Sequence, residues 1–157
     1  MFGSHLTLDL YGCEKETLSS SEKIFQLLNE LPAVVGMHKF SEPQISVIPA
    51  QPNSFDKGGL TGFVILVESH IAIHTFPADG FASLDIFSCK FFKEEKAITF
   101  VTEILGAKRY EQNKLERGKT FRKHYPRNVR KAAEIAAADR INGRTSASTW
   151  QPFQPWV

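Results

Sequence analysis

Two apolar runs of β type, Thr61 to Val67 and Ile71 to Phe76, are parted by only three polar residues, Glu68-Ser69-His70. Apolar runs of that length, bounded by polar breaks, read as strands, and a third, Phe81 to Cys89, follows Pro77 and Gly80. The longest unbroken apolar run, Phe63 to Val67, falls far short of the roughly 18 residues that span a bilayer. Upstream, His5 to Tyr11 alternates, with Leu6, Leu8 and Leu10 on one face, as a half-buried strand does. Ser19 and Glu22 have capping-box spacing, and Ile24, Leu27, Leu28 and Leu31 then share a helical face until Pro32, where the helix is expected to stop. Residues 41–59, holding Pro43, Pro49, Pro52, Gly58 and Gly59, suit a loop or short irregular strands. Lys93 to Leu105 reads as a second helix with Ile98, Val101 and Leu105 as its stripe and Gly106 as its stop, and a last strand is expected near Lys108 to Lys114. This order predicts an α+β fold, a two-layer sandwich with helices on one face of a largely antiparallel sheet.

With 157 residues, 42% of them hydrophobic, and 13 Phe, the chain can bury one core and reads as one globular domain. Its charge is uneven. Residues 1–116 carry 10 Lys and Arg against 15 Asp and Glu, whereas residues 117–157 carry 9 against 2. No acidic residue interrupts Arg117 to Lys131. A solvated basic tail, or a patch that docks on the acidic body, is favoured over nucleic-acid binding. Asn128 to Ile141 is Ala-rich and expected to be helical, and Trp150, Phe153 and Trp156 follow in a polar end segment. Cys13 and Cys89 are too few for a disulfide framework and show no CxxC spacing. With no basic-then-apolar leader at the N-terminus, a cytoplasmic location is expected and no membrane partner.

Chemistry concentrates in Glu68-Ser69-His70-Ile71-Ala72-Ile73-His74-Thr75-Phe76-Pro77. On an extended segment His70, Ala72 and His74 share one face. Taken singly, each His can be satisfied by a backbone group and Ser69 can make a turn. A Ser/His/acid hydrolase lacks its GxSxG elbow here. Zinc is disfavoured too, because His70 and His74 stand some 13 Å apart on a strand rising about 3.3 Å per residue, and further ligands are needed; no metal is expected.

A third arrangement turns the serine on its own backbone. The string His5-Leu6, Cys13, His38-Lys39-Phe40, Thr61-Gly62, the Glu68 to Pro77 stretch and Asp85-Ile86-Phe87-Ser88-Cys89 closely resembles the short prokaryotic S-adenosylmethionine decarboxylases, over residues 4–118. That resemblance implies a domain at 1–118, an added basic, aromatic extension at 119–157, and a homodimer. It implies a proenzyme cut between Glu68 and Ser69 into a β chain, 1–68, and an α chain from 69. Ser69 becomes a pyruvoyl group that forms a Schiff base with the substrate amine, so no external cofactor is needed. His74 matches the processing base, Thr61 and His70 its supporting positions, and Cys89 the proton donor, while Cys13 stays an inert thiol.

Substrate residues fit less completely. Phe55 and Phe76 match aromatic positions that stack on adenine, but the acidic residue that holds the ribose hydroxyls is here Ala78, a loss on the order of 1.5–3 kcal/mol. Asp79 is the nearest replacement. S-adenosylmethionine is therefore expected only narrowly ahead of ornithine or arginine, whose distal cation Asp79 could meet. A non-enzymatic family member acting as a binding partner is the remaining reading, and Ser69, His74 and Cys89 together argue against it.

Overall fold

The computed structural model describes residues 3–53 and 57–120. Phe55, the segment 128–141 expected to be helical and nearly all of the 119–157 extension lie outside the described residues. In chain order the elements are β1 (Gly3–Tyr11), α1 (Lys15–Ser19), α2 (Ser21–Val35), β2 (Gln44–Ile48), β3 (Gly59–Leu66), β4 (Ser69–Phe76), a 3-10 turn (Pro77–Asp79), β5 (Phe81–Ser88), α3 (Glu94–Leu105) and β6 (Arg109–Arg117). The six strands form one sheet in the order β2-β3-β4-β5-β1-β6, every neighbouring pair antiparallel. The expected α+β architecture is what the chain adopts. No helix among the described residues is long and apolar enough to cross a membrane.

Alternation decides which face the helices cover. Leu6, Leu8 and Leu10 of β1 are buried with Leu84 and Ile86 of β5 and Ile71 and Ile73 of β4, and against them pack Ile24, Leu27, Leu28 and Leu31 of α2 and Val101 and Leu105 of α3. Each such side chain contributes about 1.5–3 kcal/mol by leaving water. Gly62 lets α2 approach, since a Cβ there would stand 2.8 Å from Leu28 Cδ1. The opposite face presents His5, Thr7, Asp9 and Tyr11 of β1, the alternate residues of β4 and β5, and Phe63 and Ile65 of β3, each 44% exposed.

Three local expectations are corrected. Pro32 does not stop α2, which continues to Val35 and ends at Gly36 in the left-handed region, φ 81°. The ring forfeits one internal hydrogen bond within a turn of the helix end, and burial of Pro32 and Val35 outweighs it. Ser20, not Ser19, caps α2: Ser19 is already helical in α1, whereas Ser20 is extended and its Oγ accepts from Lys23 N–H at 3.2 Å. The break between the two apolar runs is also shorter than it reads. Ser69 and His70 belong to β4, and only Val67 and Glu68 form the hairpin loop, because polar side chains on an open sheet face need no loop to reach water.

Candidate active site

Leu66 and Ser69 face each other as the last pair of the β3–β4 ladder, so the Glu68–Ser69 peptide bond sits at the exit of a two-residue hairpin loop. Ser69 has φ 155°, a region that suits glycine and costs other residues on the order of 1–3 kcal/mol. Glu68 is buried, with its side chain 1% exposed. Its Oε2 accepts the backbone N–H of His38 at 3.0 Å, its Oε1 lies 2.8 Å from His38 Nδ1, and Lys90 Nζ donates to Oε1 at 3.4 Å. Burial pushes the Glu68 carboxyl up, but the two His38 hydrogen bonds, with the Lys90 charge, hold it below the usual carboxylate value. An ionised carboxylate only accepts, so Nδ1 of His38 carries its proton.

The main-chain carbonyl of Glu68 accepts the backbone N–H of Cys89 at 3.0 Å. Cys89 therefore adjoins the bond next to Ser69 although 20 residues separate the two, because β5 pairs with β4 and sets Ser88 opposite Ser69. Its thiol is exposed. Cys13 differs: burial pushes its thiol up to about 11, which keeps it protonated and unreactive.

His70 lies on the open face beside Phe87, ring centroids 5.8 Å apart. Phe87 also meets the His5 ring edge-on at 5.8 Å, and the Arg117 guanidinium lies 4.6 Å from its centroid. His5 in turn places Nε2 3.2 Å from Asp85 Oδ1. This end of the sheet thus gathers Glu68, Ser69, His70 and Cys89.

The other sequence-predicted residues gather at the opposite end. Thr61 Oγ1 and His74 Nδ1 are 2.9 Å apart across β3 and β4. Phe76 begins an aromatic row on the open face, 5.7 Å from Phe81, which is 5.2 Å from Tyr11. Sequence reasoning missed Phe81 and Tyr11, though their alternation with Leu10 and Ala82 marks them as outward-facing. Ala78 and Asp79 are exposed and lie in the 3-10 turn, so Asp79 is offset from Ala78 by about a third of a turn. A cavity of about 360 Å³ borders Ala78, with Lys15 and Lys57 among its walls.

The two ends do not meet within one chain. His74 follows Ser69 by five residues of extended strand, about 16 Å at 3.3 Å per residue. Ser69 also has the wrong parity, since it shares its register row with Ser88, Ser4 and Leu66, all buried, while His70 and His74 point to the open face.

Comparison with known proteins fits the fold. The family model described as S-adenosylmethionine decarboxylase matches residues 4–118. An S-adenosylmethionine decarboxylase proenzyme of Clostridium botulinum (strain Langeland) is 33% identical over 118 residues, 74% of this chain and 95% of the relative. A proenzyme of the same name from Persephonella marina is 34% identical, over 74% and 82%. Among solved structures, the adenosylmethionine decarboxylase of Aquifex aeolicus superposes with a TM-score of 0.62 at 31% identity, covering 74% of this chain and 91% of that one.

Proposed function

The chain belongs to the S-adenosylmethionine decarboxylase family, and on that premise we propose which of its residues carry out the reaction. It is a self-processing, pyruvoyl-dependent enzyme that releases CO2 from S-adenosylmethionine, a step of polyamine biosynthesis. Ornithine, arginine and a catalytically silent binding role find no support among these relatives.

Ser69 is the residue that processes itself. Its Oγ attacks the Glu68 carbonyl carbon and the Glu68–Ser69 C–N bond breaks, leaving an ester. Loss of the Ser69 α-proton then expels the Glu68 carboxylate, and the dehydroalanine that remains takes up water and releases ammonia. The observation that supports this most is the hydrogen bond from Cys89 N–H to the Glu68 carbonyl, because a donor already aimed at that oxygen stabilises the charge it gains on attack. The φ of Ser69 adds strain that cleavage relieves.

The resulting pyruvoyl group supplies an electron sink that lets CO2 leave. This chain's residues suit it: a strained serine on a hairpin, a backbone donor on the preceding carbonyl, and the exposed Cys89 thiol beside it to return a proton. Phe76, Phe55 and Asp79 are the substrate-holding residues, with Phe81 and Tyr11 extending the aromatic platform.

The 16 Å between Ser69 and His74 argues for a second copy. A homodimer packed through its open sheet faces about a twofold axis lays one protomer's Ser69 end over its partner's His74 end, and breakage of the Glu68–Ser69 C–N bond frees residue 69 to turn from its inward-facing row toward that partner. Phe63 and Ile65, exposed on that face, supply apolar area for such packing. His74, with Thr61 on its Nδ1 side, then serves as processing base in trans, and His70 borders the joined site. Residues 1–118 carry the activity, so a chain ending at Gly118 should cleave as the full chain does. The cytoplasm is its location, since proton donation by Cys89 requires a free thiol.

Mass spectrometry of the purified protein tests the reading. Two chains divided between Glu68 and Ser69 are expected, the second with a blocked N-terminus reactive toward hydroxylamine. An intact chain after long incubation would refute it.

A further inference from the structure

His38 makes three contacts with the hairpin loop that carries the scissile bond, although 30 residues separate it from Glu68. Its carbonyl accepts Val67 N–H at 2.9 Å, its N–H donates to Glu68 Oε2 at 3.0 Å, and its ring lies 2.8 Å from Glu68 Oε1. Both loop residues are thereby tied to one neighbour. That neighbour is itself fixed against the end of β3, through a bridge between Lys39 and Leu66 and through Phe40 N–H donating to Ile65 O at 2.9 Å. At its other end Glu68 is fixed by Cys89 N–H on its carbonyl. Side chain and carbonyl are held by different segments, which leaves little freedom to rotate the peptide plane between Glu68 and Ser69.

We propose that His38 is a positioning residue for self-cleavage, acting through the Glu68 side chain to hold the scissile carbonyl where Ser69 Oγ can attack it. The proposal rests on the reading of Ser69 as the cleavage residue. A buried carboxylate four bonds from the reacting carbon is a costly group to retain unless it is held for a purpose, and a peptide plane free to swing would lose the alignment on which intramolecular attack depends. The imidazole is 58% exposed and contributes little to the core, so its removal bears on the loop more than on the fold.

The test follows cleavage of chains made by cell-free translation, read on denaturing gels, for wild type, His38→Ala and His38→Asn. Asn can present an amide N–H close to the position of Nδ1. His38→Ala should lengthen the cleavage half-time on the order of 10- to 100-fold, and His38→Asn should recover to within about threefold of wild type, as expected if one hydrogen bond carries the effect. Melting curves, taken with Ser69→Ala added so that every chain stays whole, should lie close together for the two His38 variants. Glu68→Gln, which keeps the volume but meets only one of the two His38 donors, should also slow cleavage about tenfold, and it decides the question if His38→Ala does not fold. Wild-type cleavage rates in both His38→Ala and Glu68→Gln would overturn the proposal. So would a His38→Asn chain as slow as His38→Ala with both delays tracking a lowered melting point, since that is a structural role alone. A wild-type chain that itself stays whole would instead refute the reading of Ser69.

Discussion

Thr61 Oγ1 and His74 Nδ1 lie 2.9 Å apart across β3 and β4, at the far end of the sheet from Ser69. The hydroxyl takes up one ring nitrogen and leaves Nε2 for a reacting group. About 16 Å of strand forbids that group from being the same chain's Ser69.

Mixed dimers test this directly. Ser69→Ala and His74→Ala should each fail to process alone. Co-expressed, they should yield cleaved His74→Ala chains and decarboxylase activity, because one of the two sites then combines an intact Ser69 with an intact His74. Denaturing gels of the co-purified pair provide the readout; no cleavage in the mixture would put both residues in one protomer's site.

Ser69 can be replaced in two ways that both block cleavage but differ in strain. With φ at 155°, Ser69→Gly should be more stable than Ser69→Ala by about 1 kcal/mol, the strain relieved less the entropy that glycine loses on folding. Urea midpoints measure it, and an alanine variant equal to or better than the glycine one would show that no strain resides there.

Acid should weaken the fold through Glu68. Its folded pKa is lowered, so the unfolded chain binds more protons, and the stability it contributes is present above the ordinary carboxylate pKa of about 4.3 and is lost as pH falls through the lowered folded value. In the uncleavable Ser69→Ala background, adding Glu68→Gln should cost about 1–3 kcal/mol at pH 7. The gap between the two variants should close on acidification; a gap constant down to pH 2 would show that Glu68 is not held ionised.

Cys89 offers two separable groups. Cys89→Ala keeps the backbone N–H on the Glu68 carbonyl and should still cleave, while turnover falls by about 100- to 10,000-fold with the proton donor gone. Cys89→Pro removes that N–H and should slow cleavage by about 100- to 1,000-fold. Equal cleavage rates in the two would remove the backbone of Cys89 from processing.

On the proposed reading, Ala78 stands where a carboxylate would meet the ribose hydroxyls. Ala78→Glu should lower KM for S-adenosylmethionine by about tenfold, the worth of a charge-assisted hydrogen bond. An unchanged KM would mean that Asp79, offset by a third of a turn, already does the work.

What the sequence showed of this fold was whatever repeats locally. Alternation at Leu6, Leu8 and Leu10 and the stripe at Ile24, Leu27, Leu28 and Leu31 name the buried faces of β1 and α2 without help, and all seven side chains are buried there. Pro32 misled because its cost is local while the burial that offsets it is tertiary. The Ser69-His70 pair misled because polarity marks an exposed strand face as readily as a loop. The grip of His38 on Glu68 has no periodic signature, since the residues meet only after β3 has folded back beside the His38 segment, and nothing in either one's neighbours announces the other.

The strand order β2-β3-β4-β5-β1-β6 has a consequence for the cut protein. Scission after Glu68, the position proposed above, would leave β1 with the first fragment and β4, β5 and β6 with the second, yet β1 lies hydrogen-bonded between β5 and β6. The fragments are woven together, and neither can leave without tearing two full ladders of β1 as well as the β3–β4 seam. Before the cut, β1 finds its slot as part of a tethered chain, at a loop-closure cost that grows only slowly with length. After it, the same search becomes an encounter between separate molecules, dependent on concentration and opposed by aggregation of exposed strand edges. Processing thus works as a ratchet on the fold: the sheet is assembled once, as a single chain, and the mature enzyme persists by slow unravelling rather than by refolding.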